Sequence, residues 1–249
     1  MNWSWLLPAG KGIPVLMYHK VWPNRNDNLA ITPDRLREHW AFLRDEGYNT
    51  LSMHGYLEII TGQMQATSKA ILITFDDGYR NNLTYVYPLL KEFGWKATFF
   101  IIANTLETTK NTSIDEAEQK MSLEELQLLD PAIVQLGLHG YDHEDMNKIN
   151  LKEMQTEVIN SVTAFENSKL QFSKVFAYPY GARPSERGDF KKLKQLMADI
   201  GIKAAFRIGN KVSKVPAPDI FEIKRIDIKG TDTIETLKIK LLKGKLKPF

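Results

Sequence analysis

What most constrains this chain is its alternation of short apolar, strand-like runs with helical patterns from one end to the other. The runs are Ile13 to Tyr18, Tyr48 to Met53, Ala70 to Phe75, Ala97 to Ala103, Ile133 to Leu138, Lys174 to Ala177, Ala204 to Ile208 and Ile223 to Ile226. The helical segments between them carry start and stop signals. Thr32 and Pro33 open a helix that Gly47 ends, and Gly94 closes one running from Asn82 to Phe93. Ser122 to Glu125 forms a capping box, and Asn150 caps a long helix reaching about Asn167. Further helices are expected over about Asp189 to Ile200 and from Thr233 onward. Repeated strand–helix units join parallel strands through right-handed crossovers. Seven or eight such units predict an α/β barrel rather than an open sheet. With no linker and no internal repeat, residues 1–249 read as a single domain, of which 231–249 form a basic C-terminal helix and tail.

Composition removes several functional classes. The 33 Lys and Arg nearly balance 30 Asp and Glu, so no global field points to nucleic acid. The excess is local, at Lys238, Lys240, Lys243, Lys245 and Lys247. Such a tail can touch an anionic surface, although a solvated helix face is the simpler expectation. There is no cysteine, which excludes disulfides, thiolate metal sites and a cysteine nucleophile. No segment is apolar over the roughly 18 to 20 residues of a membrane span. The start, Met1 to Pro8, lacks the basic region and long apolar core of a signal peptide, so the chain reads either as cytoplasmic or as an exported protein trimmed of its signal.

Parallel barrel strands deliver their carboxyl ends to one rim, where such folds build active sites. Tyr18-His19 follows the first run, and Asp76-Asp77-Gly78 follows Ala70 to Phe75. His139-Gly140-Tyr141-Asp142-His143 follows Ile133 to Leu138, and Tyr178-Pro179-Tyr180-Gly181 follows Lys174 to Ala177. The unusual polar residues therefore collect on one rim. Adjacent carboxylates repel, which costs stability unless a cation or proton resolves it; a turn or helix cap is the plainer reading of the pair. His139 and His143, four apart, can aim both imidazoles at one point. Two imidazoles and one carboxylate suit a divalent transition metal with positions open for water and substrate. The second carboxylate is then free to accept a proton from water. The same donor set also describes a non-haem iron oxygenase.

Thr74 to Gly78, then His139-x-x-x-His143, then Phe176-Ala177-Tyr178-Pro179-Tyr180-Gly181, in this order and spacing, resemble the NodB-homology polysaccharide deacetylases, carbohydrate esterase family 4. The resemblance spans roughly residues 13 to 227. It implies a distorted (β/α) barrel and metal-dependent removal of acetyl groups from N-acetylated sugars. Position by position, Asp76 would be the catalytic base. Asp77, His139 and His143 would hold one divalent ion, zinc in the first instance and cobalt or nickel as alternatives. The Tyr180 N–H would bind the oxyanion while its ring lines the groove. Tyr141 joins Tyr180 as a substrate contact. Trp22, Tyr79 and Tyr178 also stand near the rim, whereas Trp3, Trp5 and Trp40 read as packing.

Three departures from the family pattern matter. Ala177 stands where many relatives carry an arginine that braces the base, leaving Arg225 or Arg183 to do so. Gly140 replaces a hydroxyl residue after the first metal histidine. No histidine follows His143, although relatives place their general acid near the C-terminus. Pro14-Val15-Leu16-Met17-Tyr18-His19 looks like the N-terminal motif of the poly-N-acetylglucosamine deacetylase branch, in which the closing elements of the barrel are permuted to the front. His19 is then the candidate acid, while His39 and His54 read as structural. A catalytically silent glycan-binding relative is the alternative that these departures leave open.

Overall fold

The structure, a computed structural model, describes residues 12–107 and 115–244. Trp3, Trp5, the Met1 to Pro8 start, Lys245 and Lys247 lie outside these residues. Seven parallel strands form a closed ring: β1 (Val15–Tyr18), β2 (Ala70–Phe75), β3 (Ala97–Ile101), β4 (Val134–Leu138), β5 (Phe172–Ala177), β6 (Ala204–Ile208) and β7 (Ile223–Asp227). Each pairs with its successor in the chain, and β7 pairs back onto β1 with Ile226 opposite Leu16. Closure leaves the ring without an edge strand. Helices α1 (Pro33–Asp45) and α2 (Met53–Ile60) link β1 to β2. After β2, β3, β4 and β5 come α3 (Tyr87–Phe93), α4 (Leu123–Gln127), α5 (Leu151–Ser168) and α6 (Arg187–Asp199), and α7 (Ile234–Lys243) follows β7. The β6–β7 connection carries only the two-residue strand Ser213–Lys214, which pairs antiparallel with Gly12–Ile13.

The run from Tyr48 to Met53 does not become a barrel strand. Only Asn49 and Thr50 pair, with Ala70 and Ile71 at the start of β2. Ser52 then accepts the Gly55 N–H and starts α2. That is why the ring has seven members. α2 contributes Met53, Tyr56, Ile59 and Ile60 to a core shared with Val15, Leu72, Phe100, Val175, Phe206 and Ile223. These strand residues alternate with Leu16, Ile73, Phe99, Phe176, Ala205 and Ile226, which pack with Trp40, Phe165, Leu193 and Met197 of the helices. The pleat therefore sends one set inward, over α2, and the other outward to the helical layer. Trp40 is fully buried, with ring centroids 5.5 Å from Trp95 and 5.9 Å from Phe93.

The basic C-terminal helix forms, but Lys240 departs from the expected solvated face. It is buried, donating to the Asp227 carbonyl at 2.7 Å and to Asp232 Oδ2 at 2.5 Å. Among the described residues no helix is long and apolar enough to cross a membrane.

Candidate active site

The pleat that fills the barrel also loads its mouth. Leu72, Thr74 and Asp76 share one face of the β2 chain, and Val15, Met17 and His19 share one face of the β1 chain. Ile223, Arg225 and Asp227 do the same on β7. Because Val15, Leu72 and Ile223 point inward, the same period of two turns His19, Asp76, Arg225 and Asp227 toward the barrel axis near the carboxyl rim.

Asp76 is 2% exposed and gripped by Arg225, itself fully buried. Nη1 donates to Oδ1 at 2.6 Å and Nη2 to Oδ2 at 2.7 Å. Nη1 also donates to Thr74 Oγ1 at 3.3 Å, and the guanidinium carbon lies 5.3 Å from the Phe100 ring centroid. Burial alone would push the Asp76 carboxyl up; Arg225, aided by His139, overcomes it and holds the group below the usual carboxylate range. Of the two arginines anticipated as braces, Arg225 makes the contact. Arg183 Nε instead lies 2.7 Å from Glu222 Oε1.

Asp77 turns the other way. Its φ of 70° and that of 69° at Gly78 reverse the chain after β2 and bring its carboxylate to the histidines. Oδ1 is 3.3 Å from His139 Nε2 and 3.2 Å from His143 Nε2. His139 Nδ1 lies 2.8 Å from the Ala177 carbonyl. A carbonyl only accepts, so Nδ1 carries a proton and Nε2 is the ring nitrogen that faces Asp77. Asp77 Oδ1 is buried yet forms no well-directed hydrogen bond. One ligand atom from each of Asp77, His139 and His143 lies within 4.8 Å of the other two. A buried carboxylate oxygen without a donor, facing two imidazole nitrogens, fits a small divalent cation. Despite burial, the neighbouring His139 and His143 imidazoles and the nearby Lys120 hold the Asp77 carboxyl well below the usual range. Lys120 stands 3.9 Å from Asp77 Oδ2 and 3.2 Å from the Tyr79 ring centroid; burial lowers its pKa to about 8.

The histidine loop is shaped by a residue that the sequence reading missed. Glu157 of α5 is 7% exposed and accepts the N–H groups of Tyr141 at 2.9 Å and Asp142 at 3.1 Å. Gly140 has φ 77°, and a Cβ there would meet Glu157 Oε2 at 2.9 Å and Pro179 Cγ at 3.3 Å. Glycine at position 140 thus makes room for this carboxylate. A lone Glu beside Met154, Val158 and Ser161 on the buried side of α5 was the available signal.

Tyr180 has φ 57°, and its exposed ring stands 4.6 Å from that of His143. Among the described residues, nothing accepts from its N–H. The Tyr141 hydroxyl donates to Glu107 Oε2 at 2.5 Å. Tyr79 and Tyr178 are buried, so neither ring is a surface for a ligand. His19 is half-buried with an Nδ1 that makes no hydrogen bond. Burial raises the Asp227 carboxyl, and the neighbouring His19 and Lys240 offset part of that rise. Asp227 was also missed, though it ends its strand much as Asp76 follows β2. His39 is buried against the Asp232 carbonyl at 2.9 Å, and His54 sits beside Glu58; both stand apart from the site.

Known proteins are similar to this chain to different extents. The Bacillus subtilis (strain 168) protein named "Putative polysaccharide deacetylase YxkH" is 30% identical over 173 residues, covering 68% of this chain and 57% of that protein. The poly-β-1,6-N-acetyl-D-glucosamine N-deacetylase of Escherichia coli (strain K12) is 28% identical over 115 residues, 45% of this chain and 17% of that protein. The chain thus spans little more than half of the first relative and about a sixth of the second. Two solved structures share the fold: Streptococcus pyogenes deacetylase PplD in complex with acetate, and IcaB from Ammonifex degensii. For PplD the TM-score is 0.79 at 22% identity, covering 93% of this chain and 98% of that one. For IcaB it is 0.76 at 21% identity, covering 94% and 98%. Residues 63–205, more than half the chain and the stretch holding Asp76, Asp77, His139, His143 and Tyr180, match the polysaccharide deacetylase family, and the chain belongs to it.

Proposed function

We propose that this protein removes acetyl groups from N-acetylhexosamine units of a polysaccharide or glycan precursor, using a divalent ion held by Asp77, His139 and His143. The observation that carries the reading is the separation of two adjacent carboxylates, Asp76 clamped by Arg225 and Asp77 facing two imidazoles. A bound ion would act as a Lewis acid and lower the pKa of water toward neutrality. Zinc, cobalt and nickel all suit two imidazoles and a carboxylate.

The remaining work falls to the chain. Asp76, kept ionised and oriented by Arg225, takes the proton of the attacking water. The Tyr180 N–H is directed to the oxygen on which negative charge develops, and its ring borders the sugar. His19, on the inward face beyond β1, returns a proton to the leaving amine. Tyr141, with its hydroxyl committed to Glu107, contacts substrate from the loop edge. Arg225 and His19 fill the two roles whose usual family positions are empty here, which favours an active enzyme over a silent binder. A carboxylate separately braced for proton transfer favours hydrolysis over oxygenation.

The test is acetate release from short N-acetylglucosamine oligomers by chelated protein, before and after divalent metal is restored. Restored release is expected. Sugar binding without release under any metal would point to the silent binder, and oxygen uptake in place of acetate would point to the oxygenase.

A further inference from the structure

The barrel wall between β6 and β7 has no covering helix, and its outer face is cationic. Arg207 and Lys224 are direct partners across the two strands, on the faces opposite inward Phe206 and Ile223. Like charges at paired strand positions oppose each other. With Arg183, Lys211 and Lys214 they line a cavity of about 590 Å³ beneath the 209–222 connection. One carboxylate, Glu222, serves two of these cations, with Oε1 2.7 Å from Arg183 Nε and 2.9 Å from Arg207 Nη1. Arg183 Nε is buried and still lacks a well-directed hydrogen bond. The other acid in the lining, Asp219, is paired with Lys194 at 2.8 Å. Lys211, Lys214 and Lys224 form no ion pair among the described residues.

We propose that this cavity binds an oxyanion, a phosphate or carboxylate carried on the glycan, and so directs the protein to anionic N-acetylated substrates. Planar guanidinium groups with spare donors, backed by ammonium groups, are the chemistry that recognises such an anion. The anion would relieve the repulsion between Arg207 and Lys224. Arg183 also lies three residues beyond Tyr180, within about 10 Å of extended chain, so the cavity adjoins the proposed sugar groove. The substrate part of this inference rests on the deacetylase reading; the anion site does not.

Calorimetric titration of inorganic phosphate into metal-loaded protein tests the site. Saturable binding is expected, weakened about tenfold in Arg207→Gln, as for loss of a charge-assisted hydrogen bond. It should also weaken with added salt. The exposed double variant Lys211→Gln/Lys214→Gln gives the same reading should Arg207→Gln fail to fold. Absent binding, or binding equal in wild type and variants, overturns the site. Neutral, phosphorylated and carboxylated N-acetylglucosamine oligomers are then compared as substrates. A lower KM is expected for an anionic oligomer, the anion with the larger effect being the one recognised. That advantage should vanish in the variants while turnover of the neutral oligomer stays unchanged. Equal KM values with normal acetate release would overturn the substrate preference and leave the deacetylase reading intact. Variant-sensitive phosphate binding with no acetate release from any oligomer would do the reverse.

Discussion

Asp76 and Asp77 are neighbours in sequence, and their backbone conformations part their side chains. Asp76 continues the pleat of β2 into the barrel mouth, where Arg225 meets it in a two-pronged contact. Asp77 adopts a left-handed conformation and faces His139 and His143. A buried ion pair broken from one side leaves an uncompensated charge. Arg225→Gln should therefore destabilise the protein by about 3 kcal/mol, lowering the melting temperature by roughly 6–12 °C for a domain of this size. It should also cut kcat, with metal content unchanged. His19→Ala should lower kcat by roughly 10²–10⁴-fold, the scale of a lost acid–base group, and leave metal content alone. Full activity in that variant would remove His19 from the mechanism. Asp76, Asp77, His139 and His143 were legible in the sequence because residue type and position after an apolar run are local properties. Arg225 was legible only as one of two candidates, since choosing it required bringing together residues 149 positions apart.

At the scale of elements, two loops hold the site and both depend on contacts from elsewhere. Glu157 pins the 139–143 loop from α5, presenting acceptors to two N–H groups. Glu157→Gln turns one acceptor into a donor, so metal affinity should fall about 10-fold, the usual scale of an outer-shell change. Competition with a chelating dye measures this; unchanged affinity would make Glu157 a fold residue only. Gly181 (φ 64°) sits so close to β6 that a Cβ would lie 2.4 Å from Ile208 Cγ1 and 2.7 Å from its backbone nitrogen. Gly181→Ala should displace Tyr180 and raise KM or lower kcat at normal metal content. The helix ends at Ser122 and Asn150 formed as expected because capping boxes are local chemistry. Tyr48 to Met53 misled because Leu51, Ser52 and Met53 alternate apolar and polar as a strand does. Ser52 caps a helix there, and the apolar face of α2 is taken up by the barrel interior.

For the whole molecule, the strands run round the ring in chain order and the first closes against the last. That closure places His19 from the N-terminal strand near Asp76 and Asp227, whose carboxyls it influences. The barrel class was readable from alternation alone; the count of seven was not, because it depends on which run enters the ring. A ligand that binds only the folded chain stabilises it by mass action, about 2.7 kcal/mol at one hundred times its dissociation constant. Divalent metal should accordingly raise the melting temperature of wild type by several degrees, and that of His143→Ala by far less. The central claim is that the adjacent carboxylates have different tasks. Metal content and acetate release, measured together on Asp76→Asn and His143→Ala, test it most directly. The account predicts that Asp76→Asn retains metal and releases no acetate, while His143→Ala loses metal and activity together. Equal loss of metal in the two variants would contradict it.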